Sequence, residues 1–295
     1  FKQKTAYEIR LSLVGSEMCI RDRSDSNWFS YALVSVLPFN LYLFHRFSGV
    51  SWRLLVVAVG ALQSVCIMLS FTRSAVMALG LAVLVLVVRR RLPLVPLVLA
   101  GAVGLAGLVV WNPPGLQRLY SVEYVKAGST PLRSVLLHGG VALIQERPVV
   151  GYGYNQYGAN FVRWLHTEPV LDDVIQVWER EFLRRVAEGE EQVEWVMPHN
   201  TVIQVWVEFG LLGLLAFAGF VWAIMRDAGI SRKVGTPHQA LLADCLLAAV
   251  LAFLVCATFG HLLLLKVIWI LGGIGAALCR VAVVGAGADR GSARG

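Results

Sequence analysis

Apolar residues dominate long uninterrupted stretches of this chain, at roughly 28–44, 54–71, 74–88, 92–111, 202–225, 239–258 and 262–279. About 20 apolar residues in helical conformation cross a bilayer core, so the pattern predicts about seven transmembrane helices, the first and third of them short. A long polar-richer segment, 112–200, separates the fourth span from the fifth. It leaves the fourth span through a Pro-Pro-Gly breaker in "WNPPGLQRLYSVEY". "TPLRSVLLHGGVALIQERP" then predicts a helix, with Thr130 as N-cap, Pro131 at the first position and Pro148 beyond the stop, although Gly139-Gly140 weakens it. "VVGYGYNQYGANF" is a glycine-rich turn. In "LDDVIQVWEREFLRRVAEG", Leu171, Val174, Ile175, Trp178 and Phe182 form one helical stripe, which packs either on other loop elements or on the membrane surface. The predicted architecture is all-α: a polytopic membrane helical bundle with a large helical loop.

Composition sharpens this. Hydrophobic residues make up 57% and charged residues 15% of the 295, and the mean hydropathy is +0.66, which excludes a soluble domain of this length. The formal charge of +7 first concerns orientation, not nucleic acid. Arg46 and Arg53, Arg89 to Arg91, Arg226 with Arg232 and Lys233, and Arg280 with Arg290 and Arg294 fall in inter-span regions that alternate onto one side, predicted to be cytoplasmic. The opposite side receives the 70–74 and 259–261 turns and the long loop. The first 23 residues, "FKQKTAYEIRLSLVGSEMCIRDR", lack the pattern of a signal peptide and resemble translated sequencing-adapter read-through. They are set aside as an artefactual leader, and the true amino terminus is expected to be missing. Cys66, Cys245, Cys256 and Cys279 lie in or at the edge of apolar spans, as small buried hydrophobes rather than a disulfide framework or zinc site.

Polar residues set against this pattern are the candidates for chemistry. In "SFTRSAVMALG", Arg73 stands at the outer end of an inward-running helix, whose amino terminus already carries partial positive charge. Either an anion joins it, phosphate being the natural one, or the side chain snorkels to lipid headgroups. The fifth span also starts outside, with His199 just ahead of it in "VMPHNTVIQVWVEFGLLGLLAF". Arg73, His199 and the loop arginine Arg133 are therefore candidates to converge on one anion. In the same stretch Pro198 sets a turn, Asn200 or Thr201 caps the helix, and Thr201 with Gln204 fits a capping box. Capping accounts neither for His199 nor for Glu208, which shares a face with Gln204 and Asn200. A carboxylate about two turns into a membrane helix is expected to face a protein or water-filled cavity.

Three stretches in order, "FTRSAVMALG", "RSVLLHGGVALIQERPVVGYGYNQYG" and "PHNTVIQVWVEFGLLGLLAF", resemble the bacterial O-antigen ligase and polysaccharide polymerase superfamily over about 60–225. The resemblance implies a metal-independent membrane glycosyltransferase without a cofactor. It would take a glycan from a polyprenyl-pyrophosphate donor and pass it to a glycan or lipid A-core acceptor. The essential positions it implies are Arg73 and Arg133, binding the donor pyrophosphate, and His199; Asn200, Glu208 and Lys266 are candidates for support. It also implies a multi-pass protein of the bacterial inner membrane whose site faces the periplasm. The organisation is then leader 1–23, membrane helices 24–111, periplasmic loop 112–200, membrane helices 201–280 and cytoplasmic tail 281–295. Members have more spans than this chain, so several helices are expected to be missing before it, and 165–195 is longer than the family's core pattern.

The residue types suit that chemistry. Pyrophosphate is a good leaving group, so the main need is to stabilise its developing charge, which arginine meets with a permanent charge and a planar donor fork. The acceptor hydroxyl loses a proton as it attacks, and a histidine of unperturbed pKa about 6.5 suits a general base. Direct displacement inverts the anomeric centre and needs no paired carboxylates. Gly151-Tyr-Gly153 follows a helix and is a tight turn rather than a dinucleotide fingerprint. Tyr152, Tyr154, Tyr157 and Trp164 either stack on sugar rings or are interfacial aromatics. Asp172-Asp173 open a solvated helix, where acidic residues complement the dipole. Lys266, about a turn inside the seventh span, either snorkels or touches the donor; Asp244 makes a polar interhelical contact. The alternative class is a transporter or flippase for a lipid-linked glycan or anionic solute, with Glu208, Lys266 and Asp244 lining a pathway. A non-catalytic envelope scaffold is a third. Candidates gathered at one face beneath a large loop, with no internal repeat, favour the enzyme.

Overall fold

The computed structural model describes residues 26–70, 72–93, 130–167, 181, 183–186, 188–189, 196–262 and 266–292. Among these the helices are α1 (Ser26–Val36), α2 (Pro38–Arg46), α3 (Val50–Leu69), α4 (Arg73–Val88), α5 (Thr130–Glu146), α6 (Tyr157–Thr167), α7 (Thr201–Val234), α8 (Pro237–Phe259) and α9 (Val267–Ser292), with no strand among the described residues. Four are long and apolar enough to cross a membrane: α3, α7, α8 and the 267–287 part of α9; α4 is apolar but shorter. The predicted first span is divided at Pro38 into α1 and α2, because a proline has no N–H to continue the ladder. The predicted 92–111 span and the 171–182 stripe lie essentially outside the described residues, as do the leader and Asp172-Asp173. Among the described residues, four qualifying helices therefore stand against the seven spans predicted for the whole chain.

The chain divides into two compact units, one taking in residues 30–121 and 215–295, the other 1–29 and 122–214. The membrane unit is centred on α8, whose apolar residues face every direction and of which 67% is buried over its most hydrophobic stretch; a helix apolar all round belongs in an interior. Small residues let α4 approach it: Ala75, Ala78 and Ala82 are buried on one face of α4, in one cluster with Ala248, Ala249 and Ala252 of α8. At the start of α4, Tyr31 and Ser74 share a 2.7 Å hydrogen bond, and Ser30 donates to Thr72 at 3.3 Å. On α3, by contrast, Trp52, Leu54, Leu55, Val57, Leu62 and Val65 are exposed, as a lipid-facing helix requires.

In the loop unit, Leu132, Leu136, Leu143, Tyr157, Phe161, Trp164, Leu183, Val186, Val196 and Val207 form one core. The Gly139-Gly140 pair does not interrupt α5. A Cβ on Gly139 would come within 2.7 Å of the Phe161 ring, and one on Gly140 within 2.6 Å of Ile203. The two glycines thus let α6 and the start of α7 lie directly against α5. Helix α6 is not foreseen in the sequence, yet its buried Tyr157, Phe161, Trp164 and Leu165 follow the i, i+4, i+7, i+8 spacing of a helix face.

Candidate active site

Helix α7 is two helices. Gly210 has φ 66° and ψ −169°, so the predicted continuous fifth span is broken there, and residues 201–209 form a separate helix of the loop unit. A break in a helix leaves carbonyls unpaired before it and N–H groups unpaired after it. The Pro148–Gly153 segment meets both sets. The Tyr152 N–H donates to the Val207 carbonyl at 2.9 Å and the Gly153 N–H to the Glu208 carbonyl at 2.8 Å, while the Leu211 N–H donates to the Pro148 carbonyl at 2.9 Å. The Trp206 indole N–H also reaches the Pro148 carbonyl, at 3.0 Å. The two backbones touch: a Cβ on Gly151 (φ 70°) would lie 2.6 Å from the Gly210 nitrogen, and one on Gly210 would fall on the Val149 carbonyl. The glycines of "PVVGYG" and "EFGLLG" therefore serve one joint.

His199 sits immediately before this helix, half-buried, in the left-handed conformation at φ 49°. Asn200 is the cap: its Oδ1 accepts from the N–H groups of Val202 at 2.9 Å and Ile203 at 3.1 Å. The capping box expected from Thr201 and Gln204 is not formed. Gln204 instead donates through Nε2 to Glu208 Oε1 at 3.4 Å and approaches the Met197 sulfur at 3.7 Å. Glu208 is fully buried, with the Asn155 backbone also hydrogen-bonded to its carboxylate, and Oε2 has no hydrogen-bond partner. The carboxylate therefore faces the protein interior of the loop unit, within the nine-residue helix ahead of the break.

Arg133 lies in the first turn of α5, half-buried, with a buried Nε that has no hydrogen-bond partner. Its helix abuts the His199–Glu208 segment through Gly140 and Ile203. Arg73 is the first residue of α4, as predicted, and belongs to the membrane unit. Lys266 is not inside a span. It is exposed one residue before α9, and its carbonyl accepts from the Ile270 N–H at 3.1 Å, so it caps that helix. Asp244 is paired with arginines of its own unit.

Of the four aromatic residues considered for sugar stacking, three are otherwise engaged. Tyr157 and Trp164 are core, and the Tyr157 hydroxyl donates to the Leu136 carbonyl. Tyr152 donates to Glu146 at 2.6 Å and receives a hydrogen bond from Arg163 at 3.0 Å, with the Arg147 guanidinium 4.9 Å above its ring. Burial, then the Glu146 carboxylate, raise the Tyr152 phenol above its usual value; burial alone pushes Tyr157 well above. Tyr154 is 58% exposed, beside Phe209, and is free to meet a ligand.

Apolar helices of spanning length and this histidine-bearing joint define an all-α multi-pass membrane protein. The chain belongs to the O-antigen ligase family, whose sequence profile matches residues 57–218, a stretch containing Arg73, Arg133, the 148–153 brace, His199 and the break at Gly210. Over 103 residues it is 32% identical to an O-antigen ligase of Salmonella typhimurium; the match covers 34% of this chain and 21% of that protein, so the chain spans about a fifth of the relative's length.

Proposed function

We propose that this chain carries the transfer site of a membrane glycosyltransferase of the O-antigen ligase or surface-polysaccharide polymerase type, in the bacterial inner membrane with the site facing the periplasm. The donor is a glycan on polyprenyl pyrophosphate and the acceptor a hydroxyl of lipid A-core or of another glycan. The acceptor oxygen attacks the anomeric carbon, the bond from that carbon to the pyrophosphate oxygen breaks, and His199 takes the hydroxyl proton and later releases it to solvent. Arg133 and Arg73 hold the departing pyrophosphate, whose charge rises as the bond breaks. The displacement inverts the anomeric centre and uses no metal.

The observation that carries this reading is His199 itself. It is held in a left-handed conformation at the head of a capped, braced helix, in the same unit as an arginine with an unpartnered buried Nε. A backbone conformation of that kind persists only where its surroundings enforce it, and it clusters at functional sites. The intramembrane pathway needed by a transporter loses support, because Lys266 stands outside its helix, Asp244 is ion-paired and Glu208 is buried in the loop unit.

The test is transfer in vitro from a polyprenyl-pyrophosphate-linked glycan. His199→Ala is expected to lower turnover about 10²–10⁴-fold, the usual range for a general base, with donor binding retained. A carrier would keep its flux in that variant, and this outcome would reject the enzyme.

A further inference from the structure

We propose that the membrane unit holds a second, unrelated site: a binding site for an acidic phospholipid, whose phosphate lies among Arg89, Arg91 and Arg232 while an acyl chain occupies the adjoining apolar groove. The inference rests on the membrane unit alone and is independent of glycosyl transfer.

Asp244, 1% exposed in the second turn of α8, draws three guanidinium groups to one carboxylate. Arg91 Nε lies 2.8 Å from Oδ2, Arg232 Nε 3.0 Å from Oδ1 and Arg89 Nε 3.8 Å from Oδ1. Only the Arg91 contact has good hydrogen-bond geometry; Oδ1 accepts none. One arginine neutralises one aspartate, so the cluster carries two positive charges in excess. The carboxyl-terminal ends of α4 and α7 supply roughly half an elementary negative charge each at most, which still leaves about one positive charge uncompensated. In all three pairs the contacting nitrogen is Nε, and the side chains are 28–42% exposed. The terminal Nη groups therefore remain for another acceptor, and an arginine fork is matched to the oxygens of a phosphate.

What lies beside the cluster selects the kind of phosphate. A groove of about 280 Å³ is walled by α2, α3 and the end of α4, including Leu41, Phe44, Val57, Leu86 and Leu92. Leu86 and Leu92 bracket Arg89 and Arg91 in the chain, so groove and cluster share the 86–92 segment. Lined almost wholly by aliphatic and aromatic carbon, the groove has too few polar partners to hold ordered water. Basic pockets between membrane helices at headgroup level match acidic lipid headgroups. A soluble anion would satisfy the arginines but not the groove. A neutral lipid would do the reverse.

The experiment is native mass spectrometry of the full chain, released from detergent in the presence of phosphatidylglycerol, phosphatidylcholine or inorganic phosphate. Phosphatidylglycerol is expected to be retained at roughly tenfold lower concentration than phosphatidylcholine. Arg89→Gln with Arg232→Gln leaves the Arg91–Asp244 pair in place and is expected to abolish that preference. Should the double variant not fold, Arg89→Gln alone, the most loosely held of the three, is expected to reduce it. Val57→Trp fills the groove and is expected to weaken phosphatidylglycerol retention without touching the arginines. Equal retention of the two lipids by the wild-type chain, or an unchanged preference in the arginine variants, overturns the proposal. Displacement of the lipid by inorganic phosphate, with retention unaffected by Val57→Trp, would overturn it in favour of a soluble anion.

Discussion

His199 and Asn200 divide the work of a helix start. Asn200 spends its side chain on the backbone N–H groups of Val202 and Ile203, and the histidine precedes that cap. The left-handed backbone of His199 at φ 49° costs about 1–2 kcal/mol in a residue with a Cβ, so the position is one that the fold enforces against local preference. The sequence pointed to this histidine because capping did not account for it. It did not reveal the backbone conformation, which depends on what packs around it. Arg133 shows the same division. Its place at the start of α5 was legible from the Thr-Pro helix signal, whereas its buried, unpartnered Nε is a tertiary fact. If this fork binds pyrophosphate, Arg133→Gln is expected to lower kcat on the order of 10²-fold, and Arg133→Lys to recover little of it, since lysine keeps the charge but not the planar donors. The thermal midpoint should be unchanged in both variants; recovery of activity by lysine would mean that charge alone is used.

At the scale of elements, the decisive feature is the joint between residues 148–153 and the break at Gly210. Its hydrogen bonds leave no space for a side chain at either glycine. Gly210→Ala and Gly151→Ala are each expected to destabilise the loop unit by about 2–4 kcal/mol, from left-handed strain and overpacking together. Gly219→Ala, which meets nothing within 4 Å, should leave thermal unfolding unaltered. Equal midpoints for all three would contradict the joint. The loop unit also carries two phenols held neutral, Tyr152 by burial and the Glu146 carboxylate, Tyr157 by burial. Their folded pKa values are raised, so their stabilising contribution is complete below the unfolded value of about 10 and is lost as pH rises beyond it. Stability of the loop unit should therefore fall from about pH 10 upward. Tyr157→Phe should blunt the fall; an unchanged alkaline fall in that variant would contradict the assignment.

For the whole molecule, the proposed orientation rests on the distribution of arginine and lysine and is open to direct measurement. In a background with the native cysteines replaced, Gln156→Cys, exposed in the loop unit, should react with a membrane-impermeant maleimide added to spheroplasts. Lys233→Cys, exposed near the end of α7, should react only after permeabilisation; the opposite result would invert the topology. The all-α membrane class was fixed by the sequence itself, because uninterrupted apolar length and the obligation to satisfy every backbone polar group in lipid leave few other solutions. So was the order of Arg73, Arg133, the glycine turn and the His-Asn pair, which is chemistry written in residue type. Only the tertiary structure decided that "EFGLLG" breaks a helix instead of continuing it, that Tyr157 and Trp164 are core, that Lys266 stands before α9 and that three arginines crowd Asp244. Each of those outcomes depends on a partner distant in the chain, and local periodicity records which residues are apolar without recording which distant surface they meet.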